Sequence, residues 1–179
     1  GTQAALIKEH ILKENKEAEI FYLESGARFR EFIQGETYSS KLSSEVYNQD
    51  HRQPDFLAVW NWAHLFVDSL KGTEHLMIDG TPRSLAEAKV LDTAMKFYKR
   101  EKPYIVYINV SREWSQKHLL NRGRSDDATL DKIDRRLKWF ESDVVPAIEY
   151  YRTHPDYRFI EVNGEQSVEK VSEVIQKSL

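Results

Sequence analysis

Asp79 and Arg83 are the two side chains of this sequence that point most directly to a chemical function. They begin and end the segment 79–83 (DGTPR), which follows the apolar run 76–78 (LMI). The run predicts a buried strand, and open parallel sheets bind ligands just beyond the carboxyl ends of their strands. An aspartate at that place suits a hydrated Mg²⁺, and a guanidinium suits a phosphate. The segment therefore predicts a site for phosphate chemistry.

The composition sets the class of protein. The 179 residues, of which 40% are hydrophobic and 31% charged, fit one ordinary α/β domain with a real core. A net charge of −3 provides no general basic field, so nucleic acid is not the expected partner. No apolar stretch approaches the roughly 18 residues of a spanning helix, and the chain has no cysteine. We therefore expect a cytoplasmic protein without a membrane partner.

Helical and strand patterns alternate along the chain. Strands are predicted at 19–23, 76–78, 104–110 and 158–162. Helices are predicted at 3–16, from 28 to 34, and at 54–70, 84–98, 112–120, 129–151 and 168–175. Pro54 would be a first helical residue, the helix after it would be mostly core, and Pro146 would mark a kink or boundary in the pattern at 129–151. This alternation predicts a parallel sheet with helices on both faces and right-handed crossovers.

Four blocks, in this order, resemble the adenylate kinases and their nucleoside monophosphate kinase relatives. Residues 1–3 (GTQ) resemble the end of the family's phosphate loop, G-x-P-G-x-G-K-G-T-Q-A. Residues 23–30 (LESGARFR) are similar to S-T-G-D-x-[LF]-R, and 79–83 to D-G-[FY]-P-R, with Thr81 in the aromatic position. Residues 119–127 (LLNRGRSDD) and 133–137 (IDRRL) resemble L-L-x-R-x-R-x-D-D and I-x-x-R-L.

This resemblance implies the fold and its division. The fold would be a P-loop nucleoside monophosphate kinase-like three-layer α/β/α arrangement with a parallel sheet, in one domain over residues 1–179. The parts would be a core (1–24, 71–121 and 128–179), a helical NMP-binding insertion (25–70) and a short lid (122–127).

The family's first strand and most of its phosphate loop have no counterpart in these residues. In the family that strand lies between the strands that correspond to 76–79 and 104–110, so both neighbours would have unpaired edges here. We therefore expect the 179 residues to be part of a longer protein that carries the loop. Phosphoryl transfer would require that loop upstream of Gly1.

The resemblance also implies roles for single residues. The catalytic residues would be Arg83, Arg122, Arg124, Arg136 and Asp79, with Asp126 and Asp127 supporting the lid arginines. The NMP substrate would be bound by Ser25, Gly26, Arg30, Gly80 and Glu87. ATP would be bound by Gly1, Thr2, His118 and Gly164. Thr2 and Asp79 would serve the metal, the aspartate through Mg-bound water. Arg135 by spacing competes with Arg136 by motif, and the motif favours Arg136.

Several of these residues have simpler interpretations. Taken alone, Arg30 and the lid arginines would be solvated helix residues, Thr2 an N-cap and His118 a surface histidine. Arg83 would be part of a surface salt bridge.

Glu87 leaves the acceptor base open. The family usually has glutamine there, which offers adenine one donor and one acceptor, whereas an ionised carboxylate only accepts. A guanine edge, with its N1–H and amino group, would suit it better. The alternative is that Glu87 turns to solvent and selectivity arises elsewhere.

The activity implied by the resemblance is transfer of the γ-phosphoryl group of Mg·ATP to a nucleoside monophosphate, AMP first and GMP second. ATP would be the co-substrate, Mg²⁺ the cofactor, and the enzyme a monomer. Two alternatives stay open: a catalytically inactive, nucleotide-binding kinase-like protein, and a P-loop kinase for another small acceptor. Ala27, Thr81 and Glu87 favour an inactive protein, and the full set of arginines favours the enzyme.

Overall fold

The computed structural model describes residues 1–121 and 129–179. These residues form an α/β fold, as the alternating patterns predict. The strands are β1 (Ile20–Glu24), β2 (His75–Asp79), β3 (Tyr104–Asn109) and β4 (Arg158–Asn163). The helices are α1 (Thr2–Glu14), α2 (Ser25–Phe32), α3 (Tyr38–Asn48), α4 (Asp55–Ser69), α5 (Leu85–Phe97), α6 (Arg112–Asn121), α7 (Leu130–Trp139), α8 (Val145–Arg152) and α9 (Val168–Ser178).

The strands pair in parallel, in two sheets of two strands each. β1 pairs with β2, from Ile20 opposite His75 to Glu24 opposite Asp79. β3 pairs with β4 over their full lengths. Parallel pairing is confirmed, and in the described part of the chain no ladder joins β2 to β3, which agrees with the unpaired edges expected for these two strands. β2 and β3 are the two strands between which the family's first strand, which has no counterpart here, would lie.

The main core lies between α4, α5, α8 and the first sheet. Its buried side chains include Leu23, Trp62, Phe66, Leu91, Met95 and Tyr151. A smaller cluster of Val162, Val171 and Ile175 packs α9 against β4. The helix after Pro54 was predicted to be mostly core, but Phe56, Trp60 and Val67 expose 74%, 42% and 76% of their surface. The prediction is therefore wrong for one face of α4, which is open to solvent.

Local capping explains where several helices begin. The hydroxyl oxygens of Thr37, Ser84 and Ser167 each accept a hydrogen bond from the N–H three residues later, at the starts of α3, α5 and α9. Pro54 is the N-cap of α4 rather than its first helical residue. The serine-rich helix α3 was not predicted.

The long helical pattern at 129–151 is interrupted before its proline. α7 ends at Trp139, and a π-helical turn, Phe140–Val144, joins it to α8. Two ion pairs join the turn to other segments: Asp143 pairs with Arg52 at 3.0 Å, and Glu141 pairs with Arg112. Pro146 lies in the first turn of α8, so a boundary near it is confirmed, although the π turn precedes the proline.

In the ranges 1–121 and 129–179, no helix is both long and apolar enough to cross a membrane.

Candidate functional site

A cavity of about 400 Å³ lies at the carboxyl ends of β1 and β2. Most of the residues predicted for the site line it: Gly1, Thr2, Ser25, Gly26, Arg30, Asp79, Gly80, Arg83, Glu87, His118 and Arg136. These residues come from α1, the two strand ends, α2, α5, α6 and α7. Their individual roles stay predictions, but the fold brings them to one place.

Gly164 is the predicted site residue that lies apart from this cavity. A Cβ atom at Gly164 would come within 2.5 Å of Ile108 Cγ2 and 2.6 Å of Val110 Cγ1. Its N–H donates to the Asn109 carbonyl oxygen at 2.8 Å. Gly164 therefore lets the chain after β4 pack closely against β3. Arg122, Arg124, Asp126 and Asp127, with the predicted lid at 122–127, lie outside the described residues.

Asp79 is the last residue of β2 and lies beside the start of α1. The Gly1 backbone nitrogen contacts Asp79 Oδ2, and the Tyr22 hydroxyl donates to the same oxygen at 3.1 Å. Burial, then the charge of Asp79, raises the pKa of Tyr22, which remains a donor. Thr2 is the first residue of α1 and Gly1 is its N-cap, so the simpler interpretation of Thr2 as an N-cap is wrong.

Asp79 and Thr2 fit a hydrated Mg²⁺ ion. No cluster of three or more His, Cys, Asp or Glu side chains suited to a metal occurs in the described part of the chain. Mg²⁺ usually keeps several waters and takes only one or two carboxylates together with substrate phosphates. A carboxylate and a hydroxyl on the lining of one cavity suit this mode of binding.

Arg30 and Arg83 converge above Gly26. Arg30 Nη2 donates to Glu24 Oε1 at 3.2 Å, and Arg83 Nε donates to the Gly80 carbonyl oxygen at 2.7 Å. A Cβ atom at Gly26 would lie 3.3 Å from Arg30 Nη1 and 3.5 Å from Arg83 Nη2. The two guanidinium groups thus approach the same point, and forked donors of this kind suit a phosphate.

The Gly80 carbonyl oxygen accepts hydrogen bonds from both Arg83 and Ser25. The φ of Gly80 is 79°, which lies in the left-handed region that favours glycine. Ser25 Oγ donates to its carbonyl oxygen at 2.8 Å, which links the start of α2 to the end of β2. A Cβ atom here would lie 3.0 Å from Arg83 Nη2 and 3.1 Å from Ser25 Oγ. The positive φ therefore favours glycine, and a Cβ atom would also crowd the ends of two side chains.

Arg136, not Arg135, lines the cavity. Arg135 Nη2 donates to Asp50 Oδ2 at 2.6 Å, and 53% of the Arg135 side chain is exposed. Burial lowers the pKa of Arg83, and the charge of Arg136 is the second cause of the shift. Arg83 stays protonated because an arginine pKa begins above 12. This placement agrees with the motif-based choice of Arg136, whose role stays a prediction.

Glu87 is buried, with only 1% of its surface exposed. Its Oε2 accepts a hydrogen bond from the backbone N–H of Arg83 at 2.6 Å, and its Oε1 accepts one from Trp62 Nε1–H at 3.2 Å. Burial raises the pKa of Glu87 against the opposing effects of these hydrogen bonds and of the charges of Arg83 and Arg52. The alternative that Glu87 turns to solvent is therefore wrong, since the side chain is buried and Glu87 is one of the residues that line the cavity.

Arg52 is a cavity-lining residue that sequence reasoning missed. Arg52 Nη1 donates to Asp55 Oδ1 at 2.8 Å, and Asp55 Oδ1 also accepts from Ser84 Oγ at 2.6 Å. Arg52 Nε donates to Asp143 Oδ2 at 3.0 Å. Burial alone would lower the pKa of Arg52, but the hydrogen bonds to both aspartates raise it. No motif indicated this residue, because its pair with Asp143 joins two segments that are distant in sequence.

His118 is an exposed residue of α6 on the cavity lining. Its ring stacks on the ring of Trp114, with the two centroids 4.6 Å apart and the planes 9° from parallel. The alternative of a plain surface histidine is thus incomplete, because a second ring holds the imidazole at the cavity.

Comparison with known proteins identifies the family. No protein-family model matches the chain. The chain is 30% identical over 185 residues to an adenylate kinase of Azobacteroides pseudotrichonymphae, an alignment that covers 100% of this chain and 90% of that relative. It is 29% identical to an adenylate kinase of Flavobacterium psychrophilum, with 98% and 91% covered, and 26% identical to adenylate kinase 1 of a Nostoc species, with 100% and 91% covered. The chain belongs to the adenylate kinase family.

Proposed function

We propose that this protein transfers the γ-phosphoryl group of Mg·ATP reversibly to a nucleoside monophosphate, with AMP as the first candidate acceptor. One observation carries the proposal: Arg30, Arg83 and Arg136 all line one cavity at the carboxyl ends of two parallel strands. Relatives named adenylate kinase, aligned over the whole chain, support it.

The chemistry in this proposal is positioning and neutralisation of charge. The acceptor phosphate is already an anionic nucleophile, so the transfer needs no general base. Arg30 and Arg83 would bind the acceptor phosphate through their forked donors. Arg136 would stabilise the charge that develops on the transferred group. Arg122 and Arg124, held by Asp126 and Asp127, would complete the set from the predicted lid.

The donor side of the proposal involves Thr2, Asp79, His118 and Gly164. A bound Mg²⁺ ion would supply positive charge that offsets the charge of the phosphates. The Thr2 hydroxyl and, through water, the Asp79 carboxylate would hold that ion. The transfer also requires the backbone N–H groups and the lysine of a glycine-rich loop that would come before Gly1.

GMP is a second candidate acceptor because Glu87 is buried on the cavity lining. An ionised carboxylate offers only acceptors, which match the N1–H and the amino group of guanine. A protonated carboxyl group would offer a donor as well and would match adenine. An inactive nucleotide-binding protein and a kinase for another small acceptor remain alternatives, but neither accounts as directly for three arginines on one cavity.

The test is ADP production from Mg·ATP by the full-length protein with AMP, GMP, CMP, UMP and dTMP as acceptors. We expect acceptor-dependent ADP formation, and we expect Arg83→Ala to lower kcat/KM about a thousandfold, or about 4 kcal/mol. Arg158→Ala, on β4 and outside the cavity lining, is the matched control and should stay within about twofold of the wild type.

Two further results would decide between the candidates. Absence of turnover with every acceptor, from a folded protein that contains the glycine-rich loop, would overturn the proposed activity and favour an inactive protein or another acceptor. Glu87→Gln should raise the preference for AMP over GMP about tenfold, because an amide regains the missing donor. An unchanged preference would mean that the base is read by other residues.

A further inference from the structure

Helix α6 presents two stacked rings at the cavity. Trp114 and His118 are four residues apart, and residues at this spacing lie on the same face of a helix. Their centroids are 4.6 Å apart and their planes differ by 9°. Trp114 is partly buried and does not line the cavity, whereas His118 is exposed and does. The indole therefore covers one face of an imidazole ring that stays accessible from the cavity.

We propose that Trp114 is a positioning residue for the nucleoside triphosphate: it orders the His118 ring, and the accessible imidazole stacks on the base of the triphosphate. The inference rests on the proposed function and assigns a role to a residue that no sequence motif indicated. Aromatic rings stack on bases through their flat faces, so the orientation of the imidazole decides whether such a contact forms.

The effect of Trp114 follows from side-chain order. Immobilising a side chain when a ligand binds reduces affinity, and a side chain that is already ordered avoids most of that loss. The stack on Trp114 restricts His118 before the triphosphate arrives. Removal of the indole should therefore weaken binding of the base while leaving the binding of the phosphates unchanged.

The chain contains a matched control on α4. Trp60 and His64 have the same spacing and nearly the same geometry, with centroids 4.4 Å apart and planes 14° from parallel. Neither of them lines the cavity. Trp60→Leu thus removes an equivalent ring pair at a place where the proposal assigns no contact with a nucleotide.

The experiment is calorimetric titration of the full-length protein and of Trp114→Leu, Trp114→Phe and Trp60→Leu with Mg·ATP, in the absence of an acceptor. Inorganic triphosphate with Mg²⁺ serves as the ligand without a base. We expect Trp114→Leu to raise the Kd of ATP about threefold to tenfold and to leave the Kd of inorganic triphosphate within about twofold. Trp114→Phe should restore most of the affinity because it keeps a ring, and Trp60→Leu should change neither Kd.

The possible results separate this inference from the proposed function. Equal weakening of ATP and inorganic triphosphate by Trp114→Leu would indicate a merely structural residue and would overturn the inference, as would an unchanged Kd for both ligands. A wild-type protein that binds ATP but does not turn it over would contradict the proposed activity. The ratio of the Kd of ATP to the Kd of inorganic triphosphate, compared between the wild type and Trp114→Leu, would still decide the role of Trp114. Absence of ATP binding by the folded wild type would overturn both.

Discussion

The acceptor side and the donor side of the cavity, as the proposal assigns them, are built differently. On the acceptor side, protein hydrogen bonds fix the key groups: Ser25 and Arg83 both donate to the Gly80 carbonyl, and Glu87 accepts the Arg83 N–H. On the donor side, His118 is held by a ring stack and Gly164 lies apart, against β3. The acceptor-side groups therefore share one set of hydrogen bonds around the end of β2, whereas His118 and Gly164 on the donor side are each held by separate contacts.

Substitutions on the two sides of the cavity should therefore have different effects. A change on the acceptor side should affect both the free energy of unfolding and the use of the acceptor, because the same atoms provide both. A change on the donor side should affect only one of these properties.

The largest effect is expected from Arg136, which adds a third cation to the acceptor side from α7. Arg136→Ala should lower kcat/KM for the acceptor by about a hundredfold to a thousandfold, because removal of a group that stabilises transition-state charge has effects of this size. The neighbouring Arg135→Ala is the matched control, since within residues 1–121 and 129–179 it removes a pair with Asp50 in which the arginine is half exposed. It should stay within about threefold of the wild type. Steady-state kinetics of both variants provide the test, and equal losses would show that the two arginines share the role.

The next effect separates the two glycines of the site. Gly164→Ala should lower the free energy of unfolding by about 1–3 kcal/mol, because its Cβ would overlap Ile108 and Val110. Gly80→Ala should lower it by about 1–2 kcal/mol through its positive φ. In addition, it should raise the KM for the acceptor, because its Cβ would press on Arg83 Nη2 and Ser25 Oγ.

Urea denaturation and the acceptor KM, measured on both glycine variants, check this pair. The KM for the acceptor should rise about tenfold or more in Gly80→Ala and should stay close to the wild-type value in Gly164→Ala. A normal acceptor KM in a destabilised Gly80→Ala would mean that the contacts of Arg83 with Gly80 do not fix the acceptor subsite.

The sequence allowed the prediction of much of the acceptor side, because its residues fall in short motifs beside two strand ends. Arg30, Arg83 and Glu87 were located in this way. Arg52 was missed, because an ion pair between distant segments, such as the one with Asp143, leaves no periodic or local signal.

The helices and strands were likewise predicted where a local sequence pattern marks them. Parallel strands and most helices were predicted from the spacing of their apolar residues. The serine-rich α3 has too few apolar residues to show a helical spacing. The π turn at Phe140–Val144 was not predictable, since it arises within a continuous helical pattern. Local sequence thus located the groups that belong to motifs, and tertiary contacts determined the rest.

The smallest expected effect concerns the charge of Glu87. Burial raises its pKa above the ordinary carboxyl value of about 4.3, so the folded protein binds this proton more tightly than the unfolded chain does. Ionisation of Glu87 then lowers stability progressively as the pH rises from about 4.3 through the raised pKa. Glutamine does not titrate, so the free energy of unfolding of the wild type minus that of Glu87→Gln should fall between pH 4.5 and pH 8.

Urea denaturation of the two proteins at several pH values measures this difference, in which the other titrating groups cancel to a first approximation. A difference that rises with pH would mean that the N–H groups of Arg83 and Trp62, with the charges of Arg83 and Arg52, stabilise the carboxylate more than burial destabilises it. Glu87 would then be ionised at neutral pH and would offer the acceptor base only hydrogen-bond acceptors, which favours guanine. A falling difference favours a carboxyl group that keeps its proton to higher pH and can therefore donate to adenine. Whether this stability difference rises or falls with pH thus bears directly on which base the acceptor side selects.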